Sequence, residues 1–267
     1  MMSLKDRLKG EVPDELLEKL SNGFHVIGDI AMLQIAPELE PYKEAIGQAV
    51  LTYCKGIRTV LCKRSKLDGE RRLAQFDHLC GRAGTLTVHR EFGFSYHLDL
   101  SKVFFNSRLG YERMRVAEQV EPGEHVLLPF AGAGPFAVHL AARGAHVLAL
   151  EKSREACLYL AENIRRNSLE EMVEVINGDA FRMSQFIRRD FDRAVLPAPY
   201  GADGVIEAVL PLVRPGGRLH LYAFKKRHEI EPLESEYEEL GLEVLLRRRC
   251  GNVAPAVSRW VFDMAKM

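Results

Sequence analysis

The sequence predicts an α/β protein: a doubly wound parallel sheet with a terminal antiparallel pair of strands, preceded by a smaller α+β domain. Three observations carry this. From about residue 121 short apolar runs alternate with helical patterns, as in parallel sheets covered on both faces. After the last of these come two extended runs, Leu242 to Arg248 and Val257 to Met264, with only a short connection, which reads as an antiparallel closure. Before residue 106 the order helix, strand, helix, strand, followed by a hairpin, makes a small α+β unit. The expected division is therefore 1–105 and 106–267.

In the first part, Pro13 to Leu20 has helical spacing and Ser21-Asn22-Gly23 stops it. His25 to Ile35 reads as strand with a turn or bulge at Gly28-Asp29. A helix over Pro41 to Tyr53 presents Ile46, Val50 and Leu51 on one side, and Ile57 to Cys62 is a further strand. Lys63 to Arg72 contains five basic residues among ten, either a solvated loop or one that contacts phosphates. Thr85 to Arg90 and Phe94 to Leu100 flank Glu91-Phe92-Gly93 as a hairpin. Asn106 to Val120 is a helix with a cap-like Asn106-Ser107 start.

The second part places strands at 125–129, 145–150, 172–176, 192–196 and 217–222, with helices at 134–142, 153–166, 180–188, 202–212 and near 229–240. The stretch Pro129-Phe130-Ala131-Gly132-Ala133-Gly134-Pro135 between the first strand and its helix is the centre of the reading. Gly132 and Gly134 suit a turn that needs positive φ or close approach of backbone to a ligand, and Pro135 fits a first helical turn. Glu151 ends the second strand about 20 residues past the first glycine, where an acid reaching ribose hydroxyls belongs. Ligands in open α/β sheets bind beyond the carboxyl ends of the strands. The crevice should therefore also hold Asp179, either on an adenine amino group or as a helix N-cap, and the turn Leu196-Pro197-Ala198-Pro199-Tyr200. A nucleoside-bearing cofactor is expected. The glycine pattern alone does not separate a nicotinamide dinucleotide from S-adenosylmethionine, although the antiparallel ending favours the latter.

Composition bounds the partners. The chain of 267 residues has 37 Lys+Arg and 37 Asp+Glu, so a polyanion would have to meet a local basic face. Cys54, Cys62, Cys80, Cys157 and Cys250 form no C-x-x-C pair; neither a disulfide framework nor a metal site is suggested. No signal-like or membrane-length apolar run occurs, and a cytoplasmic location is expected.

Asp99 to Arg115, with Asn106-Ser107-Arg108-Leu109-Gly110-Tyr111-Glu112-Arg113-Met114-Arg115 at its end, followed by Phe130-Ala131-Gly132-Ala133-Gly134-Pro135-Phe136, resembles the tRNA guanine-37 N1-methyltransferases and the related wybutosine-pathway aminocarboxypropyltransferases. Gly28-Asp29-Ile30, Pro37 to Tyr42, Val253-Ala254-Pro255 and Arg259-Trp260-Val261-Phe262-Asp263 extend the resemblance over nearly the whole chain. It implies a class I methyltransferase fold, S-adenosylmethionine as cofactor and the anticodon region of tRNA as partner; no membrane association and a monomer are expected. It implies that Glu112 is the base that removes the guanine N1 proton and Arg108 the group that stabilises charge on O6. Both residues also fit a charged helix face with i,i+4 pairing. Phe130, Gly132, Gly134, Glu151, Asp179 and Pro197 would bind cofactor, and Arg71, Arg72 and Tyr200 the tRNA. Two positions depart from the family pattern: Leu128 stands where an acid precedes the glycine turn, and Leu196-Pro197-Ala198-Pro199 where an Asn-Leu-Pro turn follows the fourth strand. Methyl transfer, aminocarboxypropyl transfer and a non-catalytic tRNA-binding paralogue are the readings that follow.

Overall fold

The computed structural model describes residues 3–20, 23–64, 75–202 and 204–267. Arg71 and Arg72 lie outside them. The chain divides into two compact units, Met1–Ser107 and Arg108–Met267.

In the first unit the order is α1 (Leu4–Arg7), α2 (Asp14–Leu17), β1 (His25–Ile27), β2 (Ile30–Leu33), a 3-10 turn, α3 (Lys43–Tyr53), β3 (Thr59–Lys63), β4 (Phe76–Gly81), β5 (Leu86–Glu91) and β6 (Phe94–Asp99). β1 to β4 form one sheet in that order, and β5 with β6 forms a separate hairpin. The helix expected over 13–20 closes after Leu17. The turn or bulge expected at Gly28-Asp29 is a tight hairpin turn between β1 and β2, with Gly28 at φ 57°. A Cβ there would lie 2.0 Å from Thr87 Oγ1, so the turn can pack directly on β5. Thr87 Oγ1 accepts from Asp29 N at 3.1 Å and donates to Asp29 Oδ1 at 2.7 Å. Leu8, Val12, Leu17, Leu39, Ile46 and Val50 build the core of this unit with Ala31, Leu33 and Val60.

The second unit contains α4 (Gly110–Ala117), β7 (His125–Pro129), α5 (Pro135–Ala141), β8 (His146–Glu151), α6 (Arg154–Arg166), β9 (Val173–Asn177), β10 (Phe191–Leu196), α7 (Val205–Val209), β11 (Val213–Lys226), α8 (Ile230–Glu239), β12 (Leu242–Ala254) and β13 (Val257–Lys266). The sheet order is β12-β13-β11-β10-β7-β8-β9. β11, β10, β7, β8 and β9 run parallel, and β12 and β13 are antiparallel. Strand order reverses between β7 and β10, which makes their carboxyl ends the switch point of the sheet.

Successive strand side chains point to opposite faces, and two cores result. Leu127, Leu148, Leu150, Leu196, Leu221 and Phe262 pack with α7 and α8 on one face. Val126, Leu128, Val147, Val195, Tyr222 and Val261 pack with Val116, Phe136, Leu140 and Leu160 of α4, α5 and α6 on the other.

Differences from the expected elements have local causes. Ala180–Gln185 is a 3-10 helix, not an α-helix over 180–188. β11 begins at Val213, before the expected 217, because Arg214 to Gly217 is passed over as a register shift between Phe191↔Val213 and Arg193↔Arg218. The expected connection 249–255 is mostly strand, with register shifts against β13 between Arg249 and Gly251 and between Asn252 and Ala254.

Candidate functional site

The glycine turn is built by its neighbours. Gly134 has φ 90°, and a Cβ on it would lie 2.4 Å from Leu160 Cδ1, so the turn is pressed onto α6. The buried Asn163, one turn further along α6, donates its Nδ2–H to Ala133 O at 2.9 Å. Gly132 N donates to Glu151 Oε2 at 2.9 Å, and Ser153 N donates to Glu151 Oε1 at 2.8 Å. The carboxylate that ends β8 is thereby tied to the turn that follows β7. A carboxylate offers about four lone-pair positions, so two remain for hydroxyl donors.

Asp179 serves as the N-cap anticipated from sequence: its Oδ1 accepts from Phe181 N at 3.1 Å, and Lys152 Nζ lies 3.2 Å from Oδ2. Beside it Phe181 is 45% exposed and meets Phe130 edge-on at 6.1 Å between centroids. Phe130 itself has φ 57°, a conformation a bulky side chain adopts only under tight constraint. Phe181 was not anticipated from sequence. A nucleoside fits what is present: a carboxylate for its hydroxyls, a second acid for an amino group, and an aromatic wall. Leu128 is fully buried in the core beneath α5; it offers no acid to the crevice. Pro197 follows β10 and is half-buried.

Glu112 lies on α4 with 3% exposure. Its Oε2 accepts from Arg115 Nε and from Tyr222 Oη, each at 3.1 Å, and its Oε1 accepts from Arg248 Nη2. Three donors leave about one lone-pair position free. Tyr222 in turn packs on Phe136, in the helix opened by the glycine turn, at 5.6 Å between ring centroids. Arg108, four residues earlier, is exposed.

Behind Glu112 runs a buried chain of charges. Arg115 forks onto Asp263, with Nη2 at 3.1 Å from Oδ1 and Nη1 on Oδ2. His220 Nδ1 lies 2.7 Å from Asp263 Oδ1, and His220 Nε2 lies 2.7 Å from Arg193 Nη1. Arginine can only donate, so Nε2 accepts and the imidazole is neutral with its proton on Nδ1. Burial pushes His220 below its ordinary value, which agrees. Burial alone would raise Asp263, but hydrogen bonds from His220 and Arg115 outweigh it and hold the carboxyl well below the usual range. Arg193 ends the chain on Glu124, with Nε at 2.8 Å from Oε2. Sequence reading missed this relay, although Arg193, His220 and Asp263 each interrupt an apolar strand, which is its signal.

Tyr200, beyond β10, is 63% exposed and stands edge-on to Phe224 at 5.9 Å. A cavity of about 480 Å³ opens there, lined by Ala198, Pro199, Tyr222 and Phe224 and continuing between α7 and α8. It includes none of Gly132, Glu151 and Asp179, so it is not the glycine-turn crevice.

A parallel sheet with an antiparallel end, a glycine turn after its first strand, and an acid after its second define a class I methyltransferase fold built to hold a nucleoside-bearing cofactor. Comparison with known proteins agrees. Residues 87–245 match the TRM5/TYW2 methyltransferase domain, and residues 4–85 the TYW2 N-terminal domain. The chain belongs to the TRM5/TYW2 family. It is 36% identical to the tRNA (guanine(37)-N(1))-methyltransferase Trm5b of Pyrococcus abyssi, over 91% of this chain and 74% of that one. It is 31% identical to the tRNA(Phe) (4-demethylwyosine(37)-C(7)) aminocarboxypropyltransferase of Pyrococcus horikoshii, over 98% and 95%. The solved complex of aTrm5 with tRNALeu superposes with a TM-score of 0.89 at 28% identity, covering 99% of this chain and 78% of that one.

Proposed function

We propose that this chain is a tRNA-modifying enzyme that methylates N1 of guanine at position 37. S-adenosylmethionine is the cofactor of the family, and when bound it supplies an electrophilic carbon on its sulfonium. The chain's own residues do the rest. Glu151 accepts from the ribose hydroxyls, Asp179 from the adenine amino group, and Phe130 and Phe181 wall the adenine. The turn from Gly132 to Gly134 gives the cofactor's chain close access to backbone.

The observation that carries the reading is the setting of Glu112. Guanine N1 bears a proton that must leave as the new bond forms, so a positioned acceptor is required. Glu112 has two arginines and a tyrosine fixing its carboxylate and one lone-pair position free, one aromatic ring away from the helix that the glycine turn opens. In this reading Glu112 takes the N1 proton, and Arg108 stabilises the charge that develops on O6. Arg71, Arg72 and Tyr200 are proposed contacts to the tRNA, with Tyr200 beside the target base.

A second reading, transfer of an aminocarboxypropyl group to a guanine-derived base at the same position, is favoured by one observation: residues 4–85 match the TYW2 N-terminal domain. Incubation with unmodified tRNA and S-adenosylmethionine, followed by nucleoside mass spectrometry, separates the two. A methyl increment on guanosine is expected. An aminocarboxypropyl increment on a tRNA carrying 4-demethylwyosine, with none on guanosine, would replace the first reading with the second. No increment on either substrate would leave a tRNA-binding paralogue.

A further inference from the structure

The face of the sheet that carries Glu112's partners continues toward the carboxyl end of β11. Residues His220, Tyr222 and Phe224 of β11 share that face with Asp263, Val261 and Arg259 of β13, because the register pairs His220↔Asp263, Tyr222↔Val261 and Phe224↔Arg259. The first pair belongs to the buried relay, and Tyr222 touches Glu112. The last pair has no assigned role.

Arg259 Cζ lies 4.9 Å from the centroid of the Phe224 ring, while the exposed Tyr200 meets the same ring edge-on. Arg259 differs from Arg115 and Arg248, the two arginines that hold Glu112. Arg115 and Arg248 are both taken up by carboxylates. Among the described residues Arg259 has neither a carboxylate nor a carbonyl acceptor, although it is half-buried. A guanidinium seated over an aromatic ring keeps its N–H groups for an acceptor.

Two ligands could supply that acceptor, and position decides between them. A cofactor carboxylate would come from the glycine turn at the end of β7. Arg259 stands on β13, three strands from β7 in the order β13-β11-β10-β7, or about 14 Å at the usual strand spacing. The target base needs only to reach Glu112, whose partner Tyr222 is two residues from Phe224, or about 7 Å along the strand. A purine carries N1–H, O6 and N7 in succession along one side. With N1–H at Glu112 and the base laid toward the carboxyl end of β11, O6 and N7 face the Phe224 and Arg259 pair, and an arginine fork fits O6 and N7.

We infer that Arg259, seated over Phe224 and flanked by Tyr200, forms a subsite that reads the N7 edge of the target purine. This rests on the tRNA-modifying reading and adds a residue that determines which base is accepted.

The test compares tRNA carrying guanosine with tRNA carrying 7-deazaguanosine at position 37, which removes N7 and leaves the N1 proton. Dissociation constants are measured with full-length protein and S-adenosylhomocysteine present. Wild type should prefer guanosine by about fivefold or more, at the low end for loss of half a bidentate contact. Arg259→Ala should show a ratio near one, with S-adenosylhomocysteine affinity within threefold of wild type. Arg259→Lys, which keeps the charge but not the fork, should also lose the preference; thermal melts verify that each variant is folded. A ratio near one in wild type, or an unchanged ratio in both variants, overturns the inference. So does a tenfold loss of S-adenosylhomocysteine affinity in Arg259→Ala, which would assign Arg259 to the cofactor. A wild-type preference without any group transfer would remove the transfer reading and leave this subsite. Transfer without preference would do the reverse.

Discussion

Arg115 Nε lies 3.1 Å from Glu112 Oε2 while the same guanidinium grips Asp263 with its other two nitrogens. The carboxylate proposed as base is thus fixed through Arg115 to an acid 148 residues beyond that arginine in sequence, and through it to His220 and Arg193. Asp263→Asn takes the counter-charge from Arg115 and leaves a buried cation half-paired. A loss of about 3 kcal/mol in urea unfolding is expected. Because Arg115 then orients Glu112 less well, turnover should fall about tenfold while S-adenosylhomocysteine affinity stays within threefold. Turnover at the wild-type level in a folded Asp263→Asn protein would detach the relay from catalysis.

The same relay sets a pH dependence. His220 titrates below its ordinary value in the folded protein because it is buried. A depressed folded value means that stability is fully present above the unfolded value of about 6.5 and is lost as pH falls through the folded one. Asp263 is also depressed, so its contribution is present above about pH 4 and is lost below. Unfolding free energy measured between pH 8 and 3 should therefore be level down to about 6.5, fall below it, and fall more steeply under 4. His220→Gln should remove the first decline. A wild-type curve with no decline between pH 6.5 and 5 would contradict a neutral buried His220.

Leu128 invites a repair that the packing forbids. Its side chain is fully buried among Val126, Phe136 and Leu140, so Leu128→Asp would place an unpaired carboxylate in an apolar core. A destabilisation of about 3 kcal/mol or more is expected, with no gain in cofactor affinity. Tighter binding of S-adenosylhomocysteine by this variant would mean that the position does face the crevice.

Glu151 joins the glycine turn to the end of β8, and its loss should be felt at the cofactor. Glu151→Ala strands Gly132 N and Ser153 N without their acceptor and removes the proposed ribose contact. Calorimetric titration with S-adenosylhomocysteine should read a loss of about 30-fold or more, the equivalent of about 2 kcal/mol. Unchanged affinity would move the nucleoside elsewhere in the crevice.

The sheet and the glycine turn were legible in the sequence because apolar runs such as Val126 to Leu128 and Val147 to Leu150 are continuous where both faces are buried. The long terminal hairpin was only partly legible. Its register shifts between Arg249 and Gly251 and between Asn252 and Ala254 break the alternation that identifies strands, and Arg249 to Pro255 read as the connection. Asp179 was placed by its position after a strand and its capping chemistry, both local signals. The distant partners of Glu112, Tyr222 and Arg248, and Asp263, which holds Arg115, are brought to α4 by strand order, which nothing in their own neighbourhoods encodes. Phe181 and Asn163 were missed for the same reason, since an exposed phenylalanine and a helical asparagine acquire meaning only beside Phe130 and Ala133.

The account stands most directly on Glu112 as the proton acceptor. Single-turnover transfer from saturating S-adenosylmethionine to unmodified tRNA, compared between wild type and Glu112→Gln, measures this. A rate lower by about 100-fold or more is predicted, with S-adenosylhomocysteine and tRNA affinities within threefold of wild type. Transfer by a folded Glu112→Gln protein at the wild-type rate would contradict it and leave Glu112 as a structural member of the charge relay.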